Sequence, residues 1–157
     1  MVYRAFGDPA ALELGRVLAR LARARGVLFF VGADVELARR LKADGLHLPQ
    51  RLCRRRGDID RWSRRFIVTG AAHDPLAVAR ARRSAIAAIV ISPVFPSQSP
   101  SAGRPLGLMG FARLARLARK PAIALGGVTG ARAAGLRQAG ASGMAGIDGF
   151  IETTTER

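Results

Sequence analysis

A parallel β/α barrel is the fold class this sequence predicts, and three observations carry it. Short apolar runs bounded by Gly, Pro or Asp alternate with amphipathic stretches rich in Ala, Leu and Arg. The runs do not alternate apolar with polar residues, so each reads as a strand buried on both faces, as in a parallel sheet covered by helices. Glycines gather after the last two runs, where barrels build phosphate-binding loops, and no GxGxxG follows an early strand as an open dinucleotide-binding sheet would want.

In chain order, residues 2–4 (VYR) read as the first strand. Asp8 and Pro9 open the first helix, the Asp as N-cap and the Pro in the first turn, and Leu12, Leu14, Val17, Leu18 and Leu21 recur at helical spacing as its packing face. Residues 27–31 (VLFFV) form the second strand, and residues 34–41 a short helix with Val35, Leu37, Ala38 and Leu41 apolar. Strands follow at residues 45–48 (GLHL) and 66–69 (FIVT), then a helix opened by Asp74 and Pro75 in the manner of the first. The strand at residues 88–91 (AIVI), a helix over 107–119, the strand at 122–125 (AIAL), a helix over 129–139 and the strand at 143–147 (GMAGI) complete the order. Strands alternating with helices imply parallel pairing and right-handed crossovers.

Seven strands are one short of a closed eight-stranded barrel, and 157 residues are short of the roughly 250 usual for one. The expectation is an α/β chain forming a single TIM-barrel-like domain over residues 1–157 that lacks the first βα unit and most of the last helix, since only IETTTER follows Phe150. A start codon placed late, an open barrel, or a partner chain over the gap (a homodimer included) each account for the shortfall.

Net charge is +15, which raises a polyanionic partner such as nucleic acid or an anionic surface. Of the 26 basic residues, 24 are arginine and only Lys42 and Lys120 are lysine, so the charge reads as a compositional bias spread over solvated helix faces. The densest clusters, Arg54 to Arg56, Arg64-Arg65 and Arg80 to Arg83, are not interleaved with aromatics, which argues against a stacking platform for single strands. Cys53 is the sole cysteine and excludes a disulfide framework within the chain; its arginine neighbours predict a lowered thiol pKa. The opening MVYRAFGDPA does not read as a signal peptide, and the apolar runs are too short to cross a membrane. A cytoplasmic protein without a membrane partner is expected.

The chemistry concentrates in two segments. Residues 121–128 (PAIALGGV) and 140–150 (GASGMAGIDGF) each run from a strand into small residues, which lets backbone N–H groups approach an anion closely. Taken as a pair at the end of a barrel they predict a phosphate cup; the competing reading is that the glycines only allow tight turns and close packing.

With VLFFVGADVELARRLKADGLHLPQ, IVTGAAHD, AIVISPVFPSQSP and the isolated Gly107-Leu108, these segments stand in the order and near the spacing of the thiamine phosphate synthase family, which includes a thiazole tautomerase branch. The sequence resembles that family over nearly its whole length. The resemblance implies a TIM barrel of the family's type and an alkyl transfer: hydroxymethylpyrimidine diphosphate joins a thiazole phosphate and pyrophosphate leaves, with Mg2+ on two aspartates gripping the diphosphate.

Carried over by position, the family's Gln-x-Arg-x-Lys motif falls on Val2, Arg4 and Phe6, so Arg4 remains. The two metal aspartates fall on Ala33 and Leu52, with Asp34 one place along from the first. His47 and Gln50 match, as does His73, although the Ser two residues before it is Ala71. The Thr-x-Thr-Lys motif falls on Ser97, Ser99 and Pro100. Gly126, Gly127 and Ile147 match, and Asp148 stands where the family often has Ser; a carboxylate beside a phosphate must turn outward. The tautomerase histidine falls on Pro93, so that chemistry is not implied.

The implied site therefore has Arg4, His73 and Ser99 as catalytic residues and Gly126, Gly127, Ile147, Asp148, Ser97, Gln50 and His47 as phosphate and substrate contacts. Mg2+ belongs to the family, but its ligands are not retained; Arg4 and the arginines of residues 51–56 are the substitute positive charge. Three functions follow: a synthase-like enzyme with full, reduced or lost activity acting on small-molecule phosphates, a re-purposed phosphate-binding barrel, and, least supported, a basic nucleic-acid-binding protein.

Overall fold

The computed structural model describes residues 1–5, 7–97 and 103–147. Its seven strands form one sheet in the order β1 to β7, every neighbouring pair parallel. The strands are β1 (Val2–Tyr3), β2 (Phe30–Gly32), β3 (Gly45–Leu48), β4 (Ile67–Ala72), β5 (Ala88–Ile91), β6 (Ala122–Leu125) and β7 (Gly143–Ala145). Between them lie α1 (Ala11–Ala24), α2 (Val35–Arg40), α3 (Arg56–Trp62), α4 (Pro75–Arg82), α5 (Gly107–Ala118) and α6 (Ala133–Gln138), with 3-10 turns at Leu52–Arg54 and Gly130–Arg132. The sheet curls as the incomplete wall of a barrel, and β1 and β7 are its two edges.

The main core lies between the sheet and its helices. Val31, Leu46, Leu48, Val68, Ile89, Ile91 and Ala124 point outward from the strands and meet Leu37, Ile59, Val78, Phe111 and Leu136 from the helices, all fully or nearly fully buried. On the opposite, concave face Val2 and Ile67 are 47% and 42% exposed, whereas Thr69, Ala71 and Val90 are buried.

The helix opened by Asp74 starts as expected, and the one after Asp34 starts in the same way. Asp34 and Asp74 are N-caps whose carboxylates accept from the N–H groups of Leu37 and Ala77, each at 2.8 Å, and Pro75 occupies the first turn after Asp74. Asp8 does otherwise. Its carboxylate accepts from Ala10 N–H in a turn that precedes the helix, and α1 starts at Ala11 with no side-chain cap.

The packing face of α1 also differs from expectation. Leu12 and Leu18 pack half-buried against the core as expected, but Leu14, Val17 and Leu21 are 44–47% exposed, and Gly15, Ala19 and Ala22 are the residues most deeply buried. The reason is steric: a Cβ at Gly15 would lie 2.5 Å from a Leu41 methyl and 3.1 Å from the Tyr3 ring, so only a small-residue stripe lets α1 sit this close to the wall. Residues 27–31 begin with Val27 and Leu28 outside the strand, and pairing starts only at Phe30. Helix α3 was not expected; it breaks the arginine-rich stretch, and Arg55, Arg56 and Arg61 pair along it with Asp58 and Asp60 at 3.3–3.8 Å.

Candidate functional site

Because every strand runs the same way, all the C-terminal ends open on one face, and most of the expected site residues stand there. Arg4 follows β1, Gln50 follows β3, His73 follows β4, Ser97 lies in the loop after β5, Gly126 and Gly127 follow β6, and Ile147 follows β7. His47 is inside β3, one position before its end. Ser99 and Asp148 lie outside the described residues, as do the family positions Phe6 and Pro100.

Arg4 and His47 meet across β2. Register sets Gly32 beside His47, and the Arg4 stem lies over Gly32, where a Cβ would come within 2.8 Å of Arg4 Cγ. The missing side chain at Gly32 is thus a furrow that carries a cation towards the imidazole. Burial, and then the Arg4 charge, push the His47 pKa down to about 4, so His47 is neutral at neutral pH. Its Nδ1 pairs with Thr69 Oγ1 at 3.0 Å, its register partner on β4, and Thr69 Oγ1 also reaches Leu46 O at 3.4 Å.

Gln50, His73 and Asp74 form a second group. Gln50 Nε2 donates to Asp74 Oδ2 at 2.8 Å and Gln50 Oε1 accepts from His73 N–H at 2.7 Å, so both ends of one amide tie the loop after β3 to the loop after β4. Asp74 titrates below its ordinary value, first because Ala77 N–H bonds it, with Gln50 adding to the effect against the opposing cost of desolvation. His73 Nδ1 is 2.7 Å from the Ser92 carbonyl oxygen, which can only accept, so Nδ1 carries a proton. Ser92 Oγ stands 3.2 Å away, and Nε2 remains as the imidazole's other functional atom.

The two glycines after β6 make the most strongly shaped part of the face. Gly126 and Gly127 have φ of +97° and +58°, which L side chains rarely adopt. A Cβ at Gly126 would strike Pro93 at 2.9 Å, and one at Gly127 would strike the Pro96 carbonyl and Phe95 Cβ. The loop after β5 is laced onto this turn by Val94 N–H to Leu125 O at 2.9 Å and Phe95 N–H to Gly126 O at 3.0 Å. Among the described residues, the N–H groups of Gly126, Gly127 and Val128 donate to no backbone carbonyl, so successive donors are left at a concave turn, as in an anion-binding nest. The β6–β7 register, Leu125 opposite Ala145, brings Gly146 and Ile147 to the same end.

The family's magnesium does not fit the residues present. Its two positions are Ala33 and Leu52, neither of which has a donor side chain. Asp34 and Asp74 stand nearby, but each holds a helix N-terminus. Among the described residues no group of three or more His, Cys, Asp or Glu is close enough to share a metal ion. Arg55 and Arg56 pair within α3, so of the expected substitute cations Arg4 is the one the structure ties to a site residue. Cys53 is corrected as well: burial pushes its thiol up to about 11, and its Sγ lies against carbonyls of Leu48, Pro49 and Ala71.

Sequence reasoning did not find Thr69, Ser92, Phe95 or Arg132 at this face. Thr69 shares a register row with His47, a relation that strand alignment could have exposed. Arg132 is joined to Gly127 only by a 3-10 turn, and one more arginine among 24 carries no signal. A surface cleft bordered by Asp44, Ser63, Arg65 and Ile67 lies at the other end of the strands and is not part of this arrangement.

Comparison with known proteins supplies the family. A model described as thiamine monophosphate synthase matches residues 2–150. The thiamine-phosphate synthase of Chromobacterium violaceum is 39% identical over 142 residues, covering 86% of this chain and 65% of the relative. That of Roseiflexus castenholzii is 34% identical, covering 90% of this chain and 63% of the relative. The chain thus spans somewhat less than two thirds of these curated relatives. The solved thiamine phosphate pyrophosphorylase from Pyrococcus furiosus superimposes with a TM-score of 0.76 at 21% identity, over 93% of this chain and 70% of that one, a likeness of fold.

Proposed function

Since this chain belongs to the thiamine monophosphate synthase family, we propose that it binds a thiazole phosphate in the cup after β6 and β7 and serves thiamine biosynthesis. The phosphate rests on the N–H groups about Gly126 and Gly127, with Ile147 at the rim and Ser97 in the loop above, and with Asp148 and Ser99 assigned to the site by the resemblance alone. The reaction is the coupling of that thiazole with hydroxymethylpyrimidine diphosphate. The bond from the pyrimidine methylene carbon to the diphosphate oxygen breaks and the electron pair leaves with pyrophosphate; the thiazole nitrogen lone pair then forms the new C–N bond. Arg4 and His73 attend the diphosphate, His47 and Gln50 line the floor between them, and turnover is reduced because Ala33 and Leu52 leave the leaving-group charge less neutralised. The single observation that carries the reading is the positive-φ turn at Gly126 and Gly127, closed by the loop after β5. A cytoplasmic location, small-molecule phosphate partners and a homodimer, read by sedimentation, go with it.

A second reading is a re-purposed barrel that binds a phosphate ligand without coupling, favoured by the lost carboxylates at Ala33 and Leu52. A synthase assay with both substrates and Mg2+, beside rescue of a thiamine auxotroph, separates the two. Product and rescue support the enzyme. Thiazole phosphate binding without product supports the re-purposed barrel, and absence of both overturns the phosphate cup. Tight, salt-sensitive binding to random DNA would instead revive the basic-protein reading.

A further inference from the structure

One cation near the cup belongs to no position that the family resemblance supplied. Arg132 Nη1 donates to the Gly127 carbonyl, and its guanidinium carbon lies 4.4 Å from the centre of the Phe95 ring. Phe95 is in the loop after β5 and Gly127 in the loop after β6, so one side chain fastens both walls of the cup. A guanidinium stacked on an aromatic face is pre-organised and stays charged at any physiological pH. The peptide unit it holds is Gly127–Val128, whose N–H is one of the donors at the turn. In a trans peptide the C=O and N–H point opposite ways, so a cation on the carbonyl polarises the N–H into a stronger donor.

We propose that Arg132 is a positioning residue for the phosphate. By holding and polarising the Gly127–Val128 peptide and adding a fixed positive charge beside it, Arg132 makes the cup select a dianionic phosphate monoester over the matching uncharged alcohol. The proposal rests on the cup assigned above and deepens it, adding charge discrimination to shape. Arg132 acts through Gly127, so its removal weakens anion binding without erasing the nest.

The test titrates the full chain with thiazole phosphate and with the corresponding thiazole alcohol, following the amide signals of Gly126 and Gly127 by NMR, for the native protein, Arg132→Gln, Arg132→Lys and Gly127→Ala. The native protein is expected to prefer the phosphate, more strongly as pH rises through the second phosphate ionisation, and to lose affinity with salt. Arg132→Gln should weaken phosphate binding about tenfold, leave alcohol binding unchanged, and flatten both the pH and salt dependences. Arg132→Lys should restore the salt and pH dependences while recovering only part of the affinity, because a lysine lacks the planar fork. A merely structural clamp would instead lower phosphate and alcohol binding alike and leave the pH dependence intact, which overturns the proposal. Native-like phosphate preference in Arg132→Gln alongside a loss in Gly127→Ala overturns it too while sparing the cup. No phosphate response in the native protein overturns both.

Discussion

The loops after β6 and the loops after β1 to β3 stand on the same face of one sheet, yet they have kept different things. After β6 the chemistry is carried by backbone: two glycines in conformations other residues avoid, pressed against Pro93, Phe95 and Pro96. After β1 to β3 the family's chemistry depends on side chains, a lysine and two carboxylates, and here those positions are Phe6, Ala33 and Leu52. Side chains on that side also hold the fold together: Asp34 caps α2, Gln50 ties two loops, and His47 bonds Thr69. A site made of main chain changes only if the chain path changes. A site made of side chains can be lost residue by residue while the fold stands.

The largest expected effect breaks the comparison on its retained side. Gly127→Val would set a branched side chain at positive φ against the Pro96 carbonyl, costing about 4 kcal/mol of stability or forcing the loop open. Loss of thiazole phosphate binding by calorimetry is expected even where urea melts show a folded chain. Gly32→Ala is the matching change on the other side; it displaces the Arg4 stem and should leave thiazole phosphate affinity unchanged.

Next comes the pH dependence of His47. Its folded pKa of about 4 lies below the ordinary 6.5, so between those values the unfolded chain binds a proton that the folded chain refuses. Stability is therefore full above pH 6.5, falls as pH drops towards 4, and the contribution is spent below that, about 3 kcal/mol in all. His47→Gln should remove that much of the decline when urea midpoints are compared from pH 7.5 to 4; parallel curves would refute the assignment.

Gln50→Ala is expected to cost about 2 kcal/mol, because Asp74 and His73 N–H each lose a partner, and to raise the Asp74 pKa towards its ordinary value, followed by NMR titration. The smallest effect is at Ala33, which sits at φ +64° with a Cβ. Ala33→Gly should stabilise by up to about 1 kcal/mol in thermal melts, marking strain where the family has an aspartate.

Much of this was legible in the sequence because it depends on local chemistry. The strand runs, the Asp74 cap and the paired glycines all act within a few residues of themselves. What escaped depends on depth or on crossing the sheet. Leu14, Val17 and Leu21 have the helical spacing of a core face, but a wall that takes Gly15, Ala19 and Ala22 most deeply turns them outward and leaves Leu12 and Leu18 half-buried against it. Cys53 has arginine neighbours in sequence, yet its thiol is buried among carbonyls, and burial pushes its pKa up. The pairs His47–Thr69 and Arg132–Phe95 join different elements, so no spacing within one segment announces them.

The most direct test of the retained cup against the depleted diphosphate side is calorimetric titration of the full chain with each substrate, with and without Mg2+. Thiazole phosphate is predicted to bind equally well in both conditions, and Mg2+ is predicted to change hydroxymethylpyrimidine diphosphate affinity by less than about twofold. A tenfold or greater gain in diphosphate affinity with Mg2+, together with no measurable thiazole phosphate binding, would contradict the account.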